Sequence, residues 1–364
     1  MRTPYIDRRH FMKGVGAAFL ATLAPERLYA AETADAVYAT AYQKRNGEFG
    51  VAVLTDSGKI IHTVETPDRG HDVTFDPVTR RSVVFARRPG TFATIFDHRG
   101  REAPRTIASV EGRHFFGHGV FSQDGKLLYA TENDFDNAAG MIGIYDARAG
   151  FRRIGEFPTY GMDPHELLLM PDGFTLAIAN GGIETHPDYG RAKLNLSTMK
   201  PSLVFVDARN GDLVEEHVLP SDLHQLSIRH MAQDDGGQIW FGCQFEGSQN
   251  DLPLLVGSAE RGSELKLLDM PEDILANFRN YIGSVAANTK AGTVAVSSPV
   301  GNVMAVIHVG TGKVTQTGLT EVCGLAPDGA DYLATTGTGI VNAPDAHQLV
   351  IPDYAWDNHL LRIG

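Results

Sequence analysis

Hydrophobic and polar positions alternate along this chain in short runs separated by turn residues. The segment from Arg113 to Asp134, RHFFGHGVFSQDGKLLYATEND, shows the pattern most plainly. His118 opens an apolar run with Val120 and Phe121, Gln123-Asp124-Gly125 interrupts it, and Leu127 to Thr131 forms a second run closing on Glu132-Asn133-Asp134. Asp and Gly tolerate the backbone angles of a tight hairpin, so the segment predicts two antiparallel strands. The same order returns from Gly70, Pro164, Arg229, Ile282 and Cys323. His71, His118 and His165 stand 47 residues apart, and His230 follows after a longer interval that holds an insertion. Strand-rich units repeating at about 40–50 residues predict an all-β fold, a β-propeller in which each unit is one four-stranded blade.

The ends of the chain bear on the blade count. Residues 36–70 match the second, third and fourth strands of a blade and lack a first. The copy from Cys323 offers a first and a second strand, with WDNHLLRIG read as its third. Closure by strands from both ends would remove the exposed sheet edges. The repeat length predicts seven blades of WD40-like form, while strand bookkeeping alone leaves six open.

This geometry gives the histidines their interest. If each copy opens the innermost strand of a blade, its first residue lies at the mouth of the central channel, and His71, His118, His165 and His230 converge there. Imidazole is the commonest protein ligand for borderline metals, so the four are the candidate metal ligands. Cys323 occupies the equivalent place in its own copy and is read chiefly as a small buried residue at the rim of the site. The loops that follow the second strands share a face with the histidines. They bring Glu132, Glu184 and Glu246 as carboxylates that would orient the imidazoles. The longest loop, residues 180–203, is read as a lid and carries His186 and Arg191. If imidazoles hold the ion, affinity should fall steeply between about pH 7 and pH 5; with carboxylate ligands it should change little there.

Composition and the N-terminal segment narrow the setting. Asp7-Arg8-Arg9-His10-Phe11-Met12-Lys13, an apolar stretch from Val15 to Ala24 and Ala30-Ala31 read as a twin-arginine export signal over residues 1–31, too short in its apolar part to span a bilayer. Residues 32–364 would be one propeller domain, exported already folded to the periplasm and monomeric. The net charge of −12 argues against nucleic acid or anionic lipid as partners. Only Cys243 and Cys323 are present, in different copies, and spacing does not decide whether they pair. Gly-X-Ser-X-Gly, Walker and dinucleotide fingerprints are lacking.

The export signal, the segment GHGVFSQDGKLLYATENDFD and above all GGIETHPDYGRAKLNLSTMKPSL followed by SIRHMA resemble an exported propeller family known as domain of unknown function 1513. The resemblance covers essentially the whole chain after the signal. It implies a periplasmic accessory of iron uptake or handling, associated with imelysin-type and haem-peroxidase-like proteins. Iron is accordingly the expected ion, with copper the alternative that ligand chemistry leaves open. Two further readings stand beside it: an oxygenase or other oxidoreductase using the same site, and a metal-free interaction scaffold.

Overall fold

The computed structural model describes residues 37–97, 102–344 and 348–363. The proposed signal segment lies outside them. Among the described residues the strands form seven antiparallel sheets, which are the seven blades. Six of them are contiguous in sequence and run from the channel outward in chain order; the second, for example, comprises Gly70–Asp76, Arg81–Ala86, Phe92–Asp97 and Arg105–Ala108.

The first blade is composite. Val37–Lys44, Phe49–Thr55 and Ile60–Glu65 are its three outer strands, as the sequence implied. Its inner strand comes from the C-terminal region in two pieces, Tyr354–Trp356 and Leu361–Arg362, with Tyr42 opposite Trp356 and Ala39 opposite Leu361. The segment WDNHLLRIG is therefore not the third strand of the seventh blade. That blade completes itself with Ile340–Asn342 and Leu349–Val350. The short, weakly patterned strands there gave no clear signal, whereas Trp356 is large and apolar and is buried between the first and seventh blades with Tyr38, Tyr42, Leu333 and Val341. Burying such side chains is worth about 1.5–3 kcal/mol each, so the apolar seam holds the ring closed.

The Asp-Gly turn forms as its sequence implies. Gly125 adopts φ 67°, its amide donates to the Ser122 carbonyl at 2.8 Å, and Ser122 Oγ donates to Asp124 Oδ1 at 2.8 Å. A short helix, Glu272–Phe278, joins the fifth and sixth blades and turns Leu275 and Phe278 into the core. Among the described residues no helix is long and apolar enough to cross a membrane.

What positions the site is a set of register breaks in the inner strands. In the second blade Gly70 faces Ala86 but Val73 faces Val84, so His71 and Asp72 together oppose a single residue. In the third blade the break falls between Phe115 and Gly119, in the fourth between Pro164 and Glu166, and in the fifth between Ile228 and His230. Bulges of this kind re-aim side chains that a regular pleat would place elsewhere. Each of these four lies at a histidine.

Candidate metal centre

The bulges turn His71, His118, His165 and His230 into the channel, and a fifth histidine joins them. His359 sits between the two pieces of the first blade's inner strand and closes the arc. Taken around the channel from His359 through His71, His118, His165 and His230 and back, successive ring centroids are 4.7, 5.0, 5.0, 4.8 and 4.9 Å apart. His118 and His359 approach to 4.6 Å across the arc, so the five make a compact cluster rather than an open ring. Three overlapping groups have ligand atoms that all lie within 4.8 Å of one another: His71 with His118 and His359, His118 with His165 and His230, and Glu166 with His230 and His359. Gly117 belongs to this packing, because at φ 107° its ideal Cβ would stand 2.6 Å from Cδ2 of His71.

Carboxylates face most of the Nδ1 atoms. Asp357 Oδ1 lies 2.8 Å from His71 Nδ1 and Glu166 Oε2 3.4 Å from His230 Nδ1; Asp72 lies 3.4 Å from His118 Nδ1 and 3.7 Å from His359 Nδ1. Only the first has hydrogen-bond geometry. The others are close enough for charge to act, and His118 and His230 keep a buried Nδ1 without a hydrogen-bond partner. A carboxylate at Nδ1 favours the tautomer with its proton there, leaving Nε2 as a lone pair for an ion. These acids reach across blades: Asp72 follows His71 in sequence yet serves His118 and His359, and Glu166 follows His165 yet serves His230.

His165 differs. Arg229 Nη1 stands 3.1 Å from its Nδ1, and a guanidinium cannot accept, so Nδ1 accepts and the ring proton resides on Nε2. To ligate through Nε2 it would first have to lose that proton.

Burial sets the charge state. It is the leading influence on His71, pushed down to about 3 against the pull of Asp357, and on His165, His230 and His359, which lie well below the ordinary value. These four rings are neutral at pH 7. Burial also works against a charge on His118, but Asp72, Glu166 and Asp357 together outweigh it and raise its pKa. Glu166 is pushed up to about 8, chiefly by burial, and accepts from the Met231 amide at 3.0 Å. Without an ion, Glu166 thus keeps its proton at pH 7, and His118 holds one more readily than an ordinary imidazole. Four ordinary imidazoles are not the source of a fall in affinity between pH 7 and pH 5, because most of these are already deprotonated there; the protons an ion would displace are those held by Glu166 and favoured on His118.

The two sides of the cluster are unlike. Toward the loops that follow the second strands lies a cavity of about 30 Å³ lined by Arg87, Arg88, Arg191 and Arg229 with Tyr281. On the other side the inner strands line a half-open pocket of about 410 Å³, largely apolar through Val73, Leu167, Met231 and Leu360, with Asp72, Glu166 and His359 at its lining.

The other sequence-predicted residues scatter. Glu132 is buried, but its oxygens are taken by Tyr145 Oη at 2.6 Å and Arg153 Nη2 at 2.7 Å within its own blade. Glu184 enters the order of the long loop through its backbone, its amide donating to Asn195 Oδ1 at 2.7 Å. Glu246 pairs with Lys193 and comes within 4.0 Å of Arg229 Nη2. His186 caps a turn of 3₁₀ helix by accepting from the Asp188 amide at 3.2 Å, outside the cluster. Arg191 does reach the cavity over the histidines. Cys323 is buried, donates to the Glu321 carbonyl at 3.0 Å, and has its thiol pushed up to about 12, chiefly by burial; Cys243 is likewise buried, and both are free. The acids beside the imidazoles are thus Asp72, Glu166 and Asp357 rather than the three glutamates: Glu132 on its second strand and Glu246 in the loop after another are engaged by Arg153 and Lys193, and Glu184 meets the long loop through its backbone. Sequence reading passed over the neighbours of the histidines themselves, although a polar residue flanking each histidine in an apolar strand was visible in His71-Asp72, His165-Glu166, Arg229-His230 and Asp357-Asn358-His359.

Fold and site together define a seven-bladed propeller whose channel is closed by a buried histidine cluster able to hold a metal ion. The chain belongs to the family described as protein of unknown function DUF1513, whose model matches residues 64–363. No curated protein matches it. Among solved structures it is similar to hydrazine synthase of Kuenenia stuttgartiensis, with a TM-score of 0.60 and 15% identity over 85% of this chain and 94% of that one. At that identity the likeness concerns the fold alone.

Proposed function

We propose that the histidine cluster binds a first-row transition metal, iron in the cell, and that the protein acts in the periplasm in iron uptake or handling. The observation that carries the metal reading is the convergence of buried imidazoles at ligand spacing, with His118 Nε2 and His359 Nε2 left without protein partners. A buried polar atom left unpaired costs about 1–3 kcal/mol, and an ion would satisfy several at once. His71, His118, His230 and His359 are the ligands of choice, since the carboxylates facing their Nδ1 atoms direct Nε2 to the ion. Neutral imidazole accepts iron and copper alike; the choice of iron rests on the setting that the family resemblance implies. Elemental analysis of protein isolated from the periplasm tests it. About one iron per chain, lost in the His118→Ala/His359→Ala double variant, is the expected result; iron-free protein that also takes up none on reconstitution would overturn the reading.

The half-open apolar pocket favours a second reading, an oxidoreductase that admits an apolar molecule from the side opposite the long loop. In that case Met231→Trp, which narrows this space, lowers oxygen uptake by the metal-loaded protein while its metal content stays unchanged.

A further inference from the structure

We propose that the arginine-lined cavity beside the histidine cluster is a binding site for a small planar carboxylate-type anion, of the class of bicarbonate or acetate. The proposal rests on the cavity and its unpaired donors and does not require an ion among the histidines.

The first argument is one of donors without acceptors. Arg229 is 1% exposed, and its Nε and Nη2 have no hydrogen-bond partner. His165 Nε2 is buried and unpartnered too, and the contact of Arg229 with Nδ1 fixes a proton on it. Both residues line the same cavity. A ligand satisfying them must accept at several points and donate at none, which is the property of a carboxylate oxygen pair.

The second argument is charge. Arg69 and Arg87 share Asp357, at 2.7 and 3.0 Å, while Arg88 and Arg229 share Asp163, at 3.2 and 3.0 Å. Glu246 is engaged by Lys193 and stands 4.0 Å from Arg229 Nη2, too far for a hydrogen bond. Arg191 descends from the long loop into this group and makes no ion pair among the described residues. Cations therefore outnumber the acids facing them. Burial first, with repulsion from Arg229 and Arg191 adding to it, pushes Arg88 down to about 10 despite Asp163. An anion in the cavity would relieve that repulsion.

Shape and size select the class. Guanidinium forks match planar carboxylates in two parallel hydrogen bonds, and about 30 Å³ holds a small head group rather than a bulky one. The loop residue Arg191 completes the wall.

Calorimetric titration of the chelator-treated, metal-free full chain with sodium bicarbonate and, separately, sodium acetate tests the proposal, with sodium sulfate as the tetrahedral comparator. Saturable binding of at least one planar anion is expected, tighter than sulfate. Whichever of the two binds more tightly identifies dissolved bicarbonate or an organic carboxylate as the source. Arg191→Gln, on an exposed loop where folding is not at stake, should weaken binding about tenfold or more; Arg229→Lys, which keeps the charge and loses the fork, should weaken it as well. Arg152→Gln, far from the cavity, should leave it unchanged. No saturable binding by the wild type, sulfate binding as tightly, or an affinity indifferent to both cavity variants would each overturn the site. Because the protein is metal-free throughout, failure here is separate from failure of the metal reading.

Discussion

Five blades place a histidine in the channel and two do not, and the difference begins in the backbone. The inner strands of the second to fifth blades break register at the histidine, and that of the first divides into two pieces around His359. In the sixth blade Ser284–Asn288 pairs with Thr293–Ser298 without a shift, and the alternation of the pleat continues undisturbed. The seventh blade is intermediate. Its register breaks between Val322 and Leu325, yet the residue freed there is Cys323, whose thiol turns back to the Glu321 carbonyl. A bulge therefore supplies the aim, and the residue type decides whether anything is delivered to the channel.

The largest effect expected from this contrast lies in metal affinity. His118 belongs to two of the three close ligand groups and His359 to two. Replacing both by alanine should lower affinity at least 100-fold by equilibrium dialysis, whereas Ser284→Ala and Cys323→Ala on the other arc should leave it within about twofold. Loss of binding in the latter pair would erase the distinction between the arcs.

Next comes Asp357, the buried acid that holds His71, Arg87 and the more exposed Arg69. Asp357→Asn strands buried positive charge and should destabilise the fold by about 3 kcal/mol in urea titration. No acid of the sixth blade stands in that position, and Asn288→Ala, which gives up hydrogen bonds to Gly329 and Asp331, should cost about 1–2 kcal/mol.

The third test is pH. His71, His165, His230 and His359 have depressed pKa values in the fold, so below pH 6.5 the unfolded chain takes up protons that the folded one refuses, and stability falls with pH. Glu166, raised to about 8, opposes this between its unfolded value near 4.5 and 8, but as one group against four. The metal-free protein should therefore lose stability from pH 6.5 to 4.5, on the order of 1.4 kcal/mol per pH unit for each net proton. A melting temperature that stays level across this window would show that the rings are not held neutral. Metal affinity should rise toward pH 8 as Glu166 releases its proton.

The smallest effect belongs to Cys323→Ala alone. It removes one small buried group and should cost about 1 kcal/mol in thermal melts without altering metal content.

The repeat, the seven blades and four of the five histidines were legible because hairpin turns and apolar alternation are local, and a fixed period carries them around the ring. His359 was not. It lies in the one inner strand separated from its blade by almost the whole chain, in a segment whose two short strands look like a terminal fragment. Elimination could have found it, since residues 36–70 lacked a first strand and something had to supply one. The acids were missed for a related reason: Asp72 and Glu166 act on the histidines of neighbouring blades, a contact that exists only once the ring is assembled, and Asp357 reaches His71 in the same way. The glutamates were chosen from loops sharing the correct face, but face alone does not say which way a side chain turns.

The composite first blade also sets an order of events. Residues 37–65 leave the ribosome well before His359, so the outer strands of that blade must wait, unpaired at their channel edge, until the strands between them have been made. An ion joining His359 to His71 and His118 would then be a clasp between an earlier-made and a later-made part of the ring. Loading would come after closure, and a ring that holds its ion would be one that had already been joined.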